Sequence, residues 1–267
     1  MQPLAEWPRA VRRALRGVFF DIDDTLTTDG RLTAEAYNAM ERLQRAGLHI
    51  VPVTGRPAGW CDHIARMWPI DGVVGENGAF YFWYDGTGHR IERRYVENPA
   101  VRKEQRARLH TIGEEIVAKV PGAAFAADQA YRDADLAIDF CEDVPRLADD
   151  AIDRIVAIME SHDLTAKVSS IHVNGWYGTY DKLGMSQTLM RERHGVDLPA
   201  EREHYAFIGD SPNDAPMFEF FPHAIGVANI RDFGSRLATA PRYVSAHRAG
   251  RGFCETADAI LVARIGT

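Results

Sequence analysis

The sequence is poor in cysteine, has no long apolar run and carries no surplus of basic charge. Its three cysteines, Cys61, Cys141 and Cys254, lie far apart and lack CxxC spacing. That argues against a disulfide framework or a thiolate zinc site and fits reduced thiols. Ten histidines are present, none in an HExxH arrangement. No stretch approaches the ~20 apolar residues that a membrane span requires. Near the N-terminus the run Val18-Phe19-Phe20 stops at Asp21, so no secretory h-region forms and the expected location is the cytoplasm. A net charge of −7 argues against a nucleic acid or an anionic membrane as partner. The one basic cluster, Arg9, Arg12, Arg13 and Arg16, reads as the solvated face of a short helix.

What remains is an ordinary globular composition, 46% apolar and 26% charged over 267 residues. That length allows one large domain or two modest ones. Gly17 to Ile22 reads as a buried strand ending in acids. Thr33 to Ala46 has Ala36, Met40 and Leu43 at helical spacing, with Gly47 as a stop. His49 to Val53 reads as a second strand, Pro57 to Met67 as a helix opened by proline, and Val73-Val74 as a third strand. This is the βαβαβ pattern of a doubly wound parallel sheet. The pattern then changes. A hairpin over Ala79–Tyr84 and Arg90–Val96, long helices over 99–119 and 146–160, and strands over 136–140, 166–171 and 172–176 suggest an α+β unit. After Tyr180 the βα alternation returns. The expected architecture is an α/β, Rossmann-like core of residues 1–82 and 179–267, interrupted by an α+β insert over 83–178.

Ligands of open α/β sheets bind beyond the carboxyl ends of the strands. Three polar clusters fall at such ends: Asp21 with Asp23, Thr54-Gly55-Arg56-Pro57, and Gly209-Asp210-Ser211-Pro212-Asn213-Asp214. Asp21 and Asp23, two apart on a strand end, point the same way about 6–7 Å apart along the chain. With Asp210 and Asp214 they make a pocket of up to four carboxylates. Such a pocket repels phosphate unless a cation fills it, and an all-oxygen donor set suits Mg²⁺ better than zinc. An ionised Asp21 needs no base to act as nucleophile, and Asp23 is placed to serve as acid and base. That role calls for a raised pKa at Asp23, from neighbouring carboxylates. Thr54 and the N–H groups after it, Gly55 included, form an anion cradle at a helix N-terminus. Lys182, at the start of the helix that re-enters the core, is the best-placed cation for the transferring group.

These residues resemble the motifs of the haloacid dehalogenase-like phosphatase superfamily, over almost the whole chain. Asp21-Ile22-Asp23-Asp24-Thr25 is similar to the first motif, Val53-Thr54-Gly55-Arg56 to the second, Lys182 to the third and Gly209–Asp214 to the fourth. The resemblance implies that Asp210 ligates magnesium, that Asp214 supports it, and that Asn213 orients Lys182 or the metal's waters. The insert, Gly75-Glu76-Asn77-Gly78-Ala79 and Tyr180–Gly184 resemble subclass IIB, whose cap reads the substrate. Asp24 departs from the pattern, standing where many members have glycine. A small phosphorylated metabolite, a sugar phosphate by this resemblance, is the expected substrate. A phosphomannomutase-like mutase is the main alternative, and a non-catalytic phospho-acceptor or binding protein is a further one. In the insert, Asn174 and Arg132 are candidate substrate contacts, although each reads more simply as structural, as do Glu142 and His172.

Overall fold

The computed structural model describes residues 1–265. Among these residues, thirteen strands, β1 to β13, form three sheets. β1 (Gln2–Pro3), β2 (Gly17–Phe20), β3 (His49–Pro52), β11 (Tyr205–Gly209), β12 (His223–Gly226) and β13 (Tyr243–Val244) make a six-stranded sheet. Its order is β1-β13-β12-β11-β2-β3 and every pairing is parallel. Parallel sheets are covered on both faces, so their strands read as continuous apolar runs. β2 shows the consequence of strand alternation. Val18 and Phe20 pack with Ile50, Ala206, Ile208 and Phe253 on one face, while Phe19 packs with Val51, Tyr205, Phe207 and Met217 on the other. Helices Ala34–Arg45 and Ala249–Arg264 cover the first face. Helices Lys182–Leu189 and Ala215–Phe220 cover the second.

The helix starts follow local chemistry. Thr33 caps its helix by accepting the Ala36 N–H, and Asp181 does the same for Gly184. Pro57 is the residue before the helix Ala58–Met67 rather than its first turn. The helix beginning at Lys182 ends at Leu189 and continues as a wider turn over Met190–His194 that closes at Gly195. The short helix Arg9–Ala14 is not merely solvated, because Arg12 donates to the Ala259 carbonyl of the closing helix.

β4 (Val73–Gly75), β5 (Phe80–Asp85) and β6 (Arg90–Tyr95) form an antiparallel ribbon, joined to the large sheet by a parallel bridge between Val53 and Val74. Position 83 therefore falls inside a strand, β5. The remaining sheet is antiparallel, β7 (Ala124–Phe125), β8 (Leu136–Asp139), β10 (His172–Trp176) and β9 (Thr165–Val168) in that order. It has its own core: Leu109, Ile112 and Ile116 from helix Pro99–Lys119, Ile152, Ile155 and Met159 from helix Asp149–Ser161, and Leu136, Ile138 and Val173 from the strands. No helix among the described residues is long and apolar enough to cross a membrane.

Candidate active site

The three clusters meet because β3, β2 and β11 are neighbours. Asp21 follows β2, Thr54 follows β3 and Asp210 follows β11, all at carboxyl ends. Asp21, Asp210 and Asp214 are buried, and one carboxylate oxygen from each lies within 4.8 Å of the others. Lys182 joins them from the helix start: its Nζ lies 3.1 Å from Asp21 Oδ1 and 2.7 Å from Asp214 Oδ1. The loop that ends in Gly78 backs this helix start. A Cβ on Gly78 would sit 2.0 Å from the Asp181 carbonyl, and its φ of +107° is one that side chains avoid.

Three buried carboxylates share one lysine, and their protonation reflects the shortage. Burial first, then Asp214 and Asp23, push Asp21 up to about 7 against the pull of Lys182. Burial, with Asp21 and Asp214 beside it, pushes Asp210 well above the usual carboxylate range. Burial works against the charge of Lys182, but Asp21 and Asp214 raise it overall. Asp210 is held by neutral donors alone: Thr25 Oγ1 at 3.1 Å and Asn229 Nδ2 at 3.1 Å. The cluster fits a hard divalent cation, having oxygen donors, excess negative charge and no thiolate or imidazole among its members.

Asp23 does not join this cluster. β2 ends at Phe20, so strand alternation no longer governs residues 21–23. The Asp23 carboxylate is paired with Arg56, whose Nε lies 3.0 Å and Nη2 2.8 Å away. Asn213 does not touch Lys182. Its Oδ1 accepts from Ser211 Oγ at 2.8 Å, and Asp214 orients the lysine. Asp214 also accepts the Asp210 and Ser211 N–H groups, tying the fourth cluster into one turn. Thr54 is fully buried, and its Oγ1 accepts the Arg56 N–H at 3.0 Å, which leaves its hydroxyl hydrogen to donate.

Arg56 was not singled out by the sequence, yet it links most of the acids around the centre. Besides Asp23 it binds Glu142 Oε1 at 2.5 Å and Asp128 Oδ2 at 3.2 Å. Arg132 extends the network to Asp128 and Asp135 and donates to the Gly55 carbonyl at 2.8 Å. With 1% exposure its guanidinium is spent on these partners, so it braces the insert against the core and is not free to read a substrate. Asn174 likewise donates to Asp135 at 3.0 Å. Glu76 completes the junction, accepting N–H groups of Ala58, Asp133, Ala134 and Asp135. A cavity of about 1110 Å³ opens beside this junction, lined by Asp24, Asp210 and Asn229 of the core and Phe140, Arg146, Ser169 and Ser170 of the insert.

Residues 18–115 match the family described as haloacid dehalogenase-like hydrolase. A phosphoglycolate phosphatase of Methanoculleus marisnigri is 25% identical over 244 residues, covering 90% of this chain and 94% of that one. The C-terminal domain of trehalose-6-phosphate phosphatase from C. albicans shares the fold, with a TM-score of 0.68, 14% identity and 100% of both chains covered. A sugar phosphatase of subclass IIB of that superfamily shares it with a TM-score of 0.60 and 15% identity, over 94% of this chain and 100% of that one.

Proposed function

We propose that this chain, a phosphatase of the haloacid dehalogenase-like hydrolase family, removes phosphate from a sugar phosphate with the aid of magnesium. The observation that carries the reading is Lys182 Nζ bridging Asp21 and Asp214 beside Asp210 at the carboxyl edge of the sheet. Asp21, Asp210 and Asp214 are the residues that would hold the ion. When bound, it offsets the charge of these carboxylates and of the phosphate oxygens.

The remaining steps belong to the chain. An ionised Asp21 attacks phosphorus, and the bond from phosphorus to the ester oxygen breaks. Asp23 gives its proton to that departing oxygen, leaving an aspartyl-phosphate on Asp21. Asp23 then takes a proton from water as the water oxygen attacks phosphorus, which frees phosphate and regenerates Asp21. Lys182 keeps Asp21 charged and balances the transferring group. The Thr54 hydroxyl and the Gly55 N–H face the phosphate oxygens, and Arg56 fixes where Asp23 stands. Asn213 borders the phosphate from the fourth cluster.

Residues 83–178 act in this reading as the cap that encloses the substrate. The cavity between cap and core is large enough for a hexose phosphate and far exceeds the two-carbon acid named for the curated relatives. The test is phosphate release from a panel of phosphorylated metabolites, with Mg²⁺ and with chelator. Turnover should need the metal and disappear in Asp21→Asn while that variant stays folded. Wild-type-like release by Asp21→Asn sinks the mechanism. Conversion of a hexose 1-phosphate to its 6-phosphate without phosphate release would instead make the chain a mutase.

A further inference from the structure

We infer that Asp24 selects the leaving group, its carboxylate accepting hydroxyl hydrogens of a neutral polyol and disfavouring a leaving group with a second negative charge. The inference rests on the phosphatase reading above. Asp24 has φ of +54°, a region that favours glycine. Such backbone persists only where its surroundings fix it. Here both backbone groups are held: the Asp24 N–H donates to Thr27 Oγ1 at 3.2 Å, and its carbonyl accepts from Asn229 Nδ2 at 3.0 Å. The Thr27 hydroxyl in turn donates to the Ile22 carbonyl. A side chain is thus tolerated where none is needed for the turn.

That side chain has a place to act. Asp24 lines the large cavity beside Asp210, and the cap's Ser169 and Ser170 line it too. Burial raises the Asp24 carboxyl, and the Ser170 side chain against it works the other way. The other carboxylates of the cavity are occupied or exposed. Asp149 is paired with Arg236 at 3.1 Å, Asp232 with Arg248, and Asp210 is held by Thr25 and Asn229, while Asp29 is exposed. Asp24 is the half-buried one with no ion pair among the described residues. Arg146 and Arg251, the cations without a carboxylate partner there, are exposed, and Arg146 lies over the Phe140 ring at 5.5 Å. An ionised carboxylate only accepts hydrogen bonds, so it matches hydroxyls and repels a carboxylate or second phosphate.

The experiment compares wild type with Asp24→Gly and Asp24→Asn on three esters: the best neutral sugar phosphate of a panel, phosphoglycolate and p-nitrophenyl phosphate. Glycine suits this backbone, so the Tm of Asp24→Gly should not fall. Wild type should favour the sugar phosphate over phosphoglycolate in kcat/KM. That ratio should fall at least ~10-fold in Asp24→Gly and by less in Asp24→Asn, which keeps hydrogen bonding without the charge. The Mg²⁺ concentration that half-stabilises the protein against heat should stay put. A wild type that favours phosphoglycolate overturns the inference, and so does an unchanged ratio in both variants. Equal losses on all three esters with a shifted magnesium midpoint also overturn it, because Asp24 would then serve the metal. Failure of wild type on every ester overturns the phosphatase reading itself, a distinct result.

Discussion

Two buried charge clusters lie side by side and are balanced differently. At the sheet edge, Asp21, Asp210 and Asp214 cluster about one lysine that bonds only Asp21 and Asp214. At the cap junction, Asp23, Asp128, Asp135 and Glu142 share two arginines. The central residues of both clusters are almost fully buried. The difference lies in donor number and shape: a guanidinium offers five N–H donors in a planar fork, an ammonium three at one point. The forks reach acids from separate chain segments and close the junction. The lysine leaves Asp210 with neutral donors alone. One cluster is therefore a brace and the other a site that calls for a cation.

Breaking the brace should have the largest effect. Arg132→Met leaves Asp135 and part of Asp128 without their cation, which typically costs about 3–5 kcal/mol. Chemical denaturation of wild type and variant measures it, and a loss near zero would show that the junction is not a brace. Next, Asp210→Asn should lower phosphate release at least ~100-fold and remove the rise in Tm on adding Mg²⁺. If that rise survives, Asp210 is not a ligand. A smaller effect separates Asp23 from both clusters: Asp23→Asn should slow alkyl phosphates ~10-fold more than aryl phosphates, whose leaving groups need no proton. Equal loss on both would remove the acid role.

The mildest test is pH. Burial, with Asp135 nearby, pushes Glu76 from its ordinary 4.5 up to about 8, despite Arg132 and its N–H donors. Between those values the native state holds a proton that the unfolded chain has lost. Stability present below pH 4.5 should therefore decline as pH rises to about 8. Tm recorded across that range should fall, and Glu76→Gln should flatten the slope. A rising wild-type profile would mean that the N–H donors keep Glu76 charged.

The sheet edge was legible because its signals are local. A short apolar run that stops at an acid or at Thr-Gly marks a strand's carboxyl end, and three such ends converge whenever their strands adjoin. Lys182 followed from the helix that its neighbour Asp181 caps. The brace was not legible, because Arg56 finds Asp23 and Glu142 33 and 86 positions away, and Arg132, whose acids are local, reaches the Gly55 carbonyl 77 positions away. Arg132 and Asn174 carried the right polarity for a substrate contact, but periodicity says nothing about whether a polar group is already satisfied. Asn229 is the residue that strand-end reasoning could have found, since it stands three positions beyond β12. The edge strand β1 and its neighbour β13 are two residues each, too short for any alternation to show.

Arg132 grips the carbonyl of Gly55, and Arg56 belongs to the same short loop. The segment proposed to face the phosphate is thus also the segment on which the cap rests. On the proposed function, a cap that lifts would pull on that loop, coupling release of the dephosphorylated product to release of phosphate. Two guanidinium contacts would then bear on the rate of turnover alongside the chemistry at phosphorus.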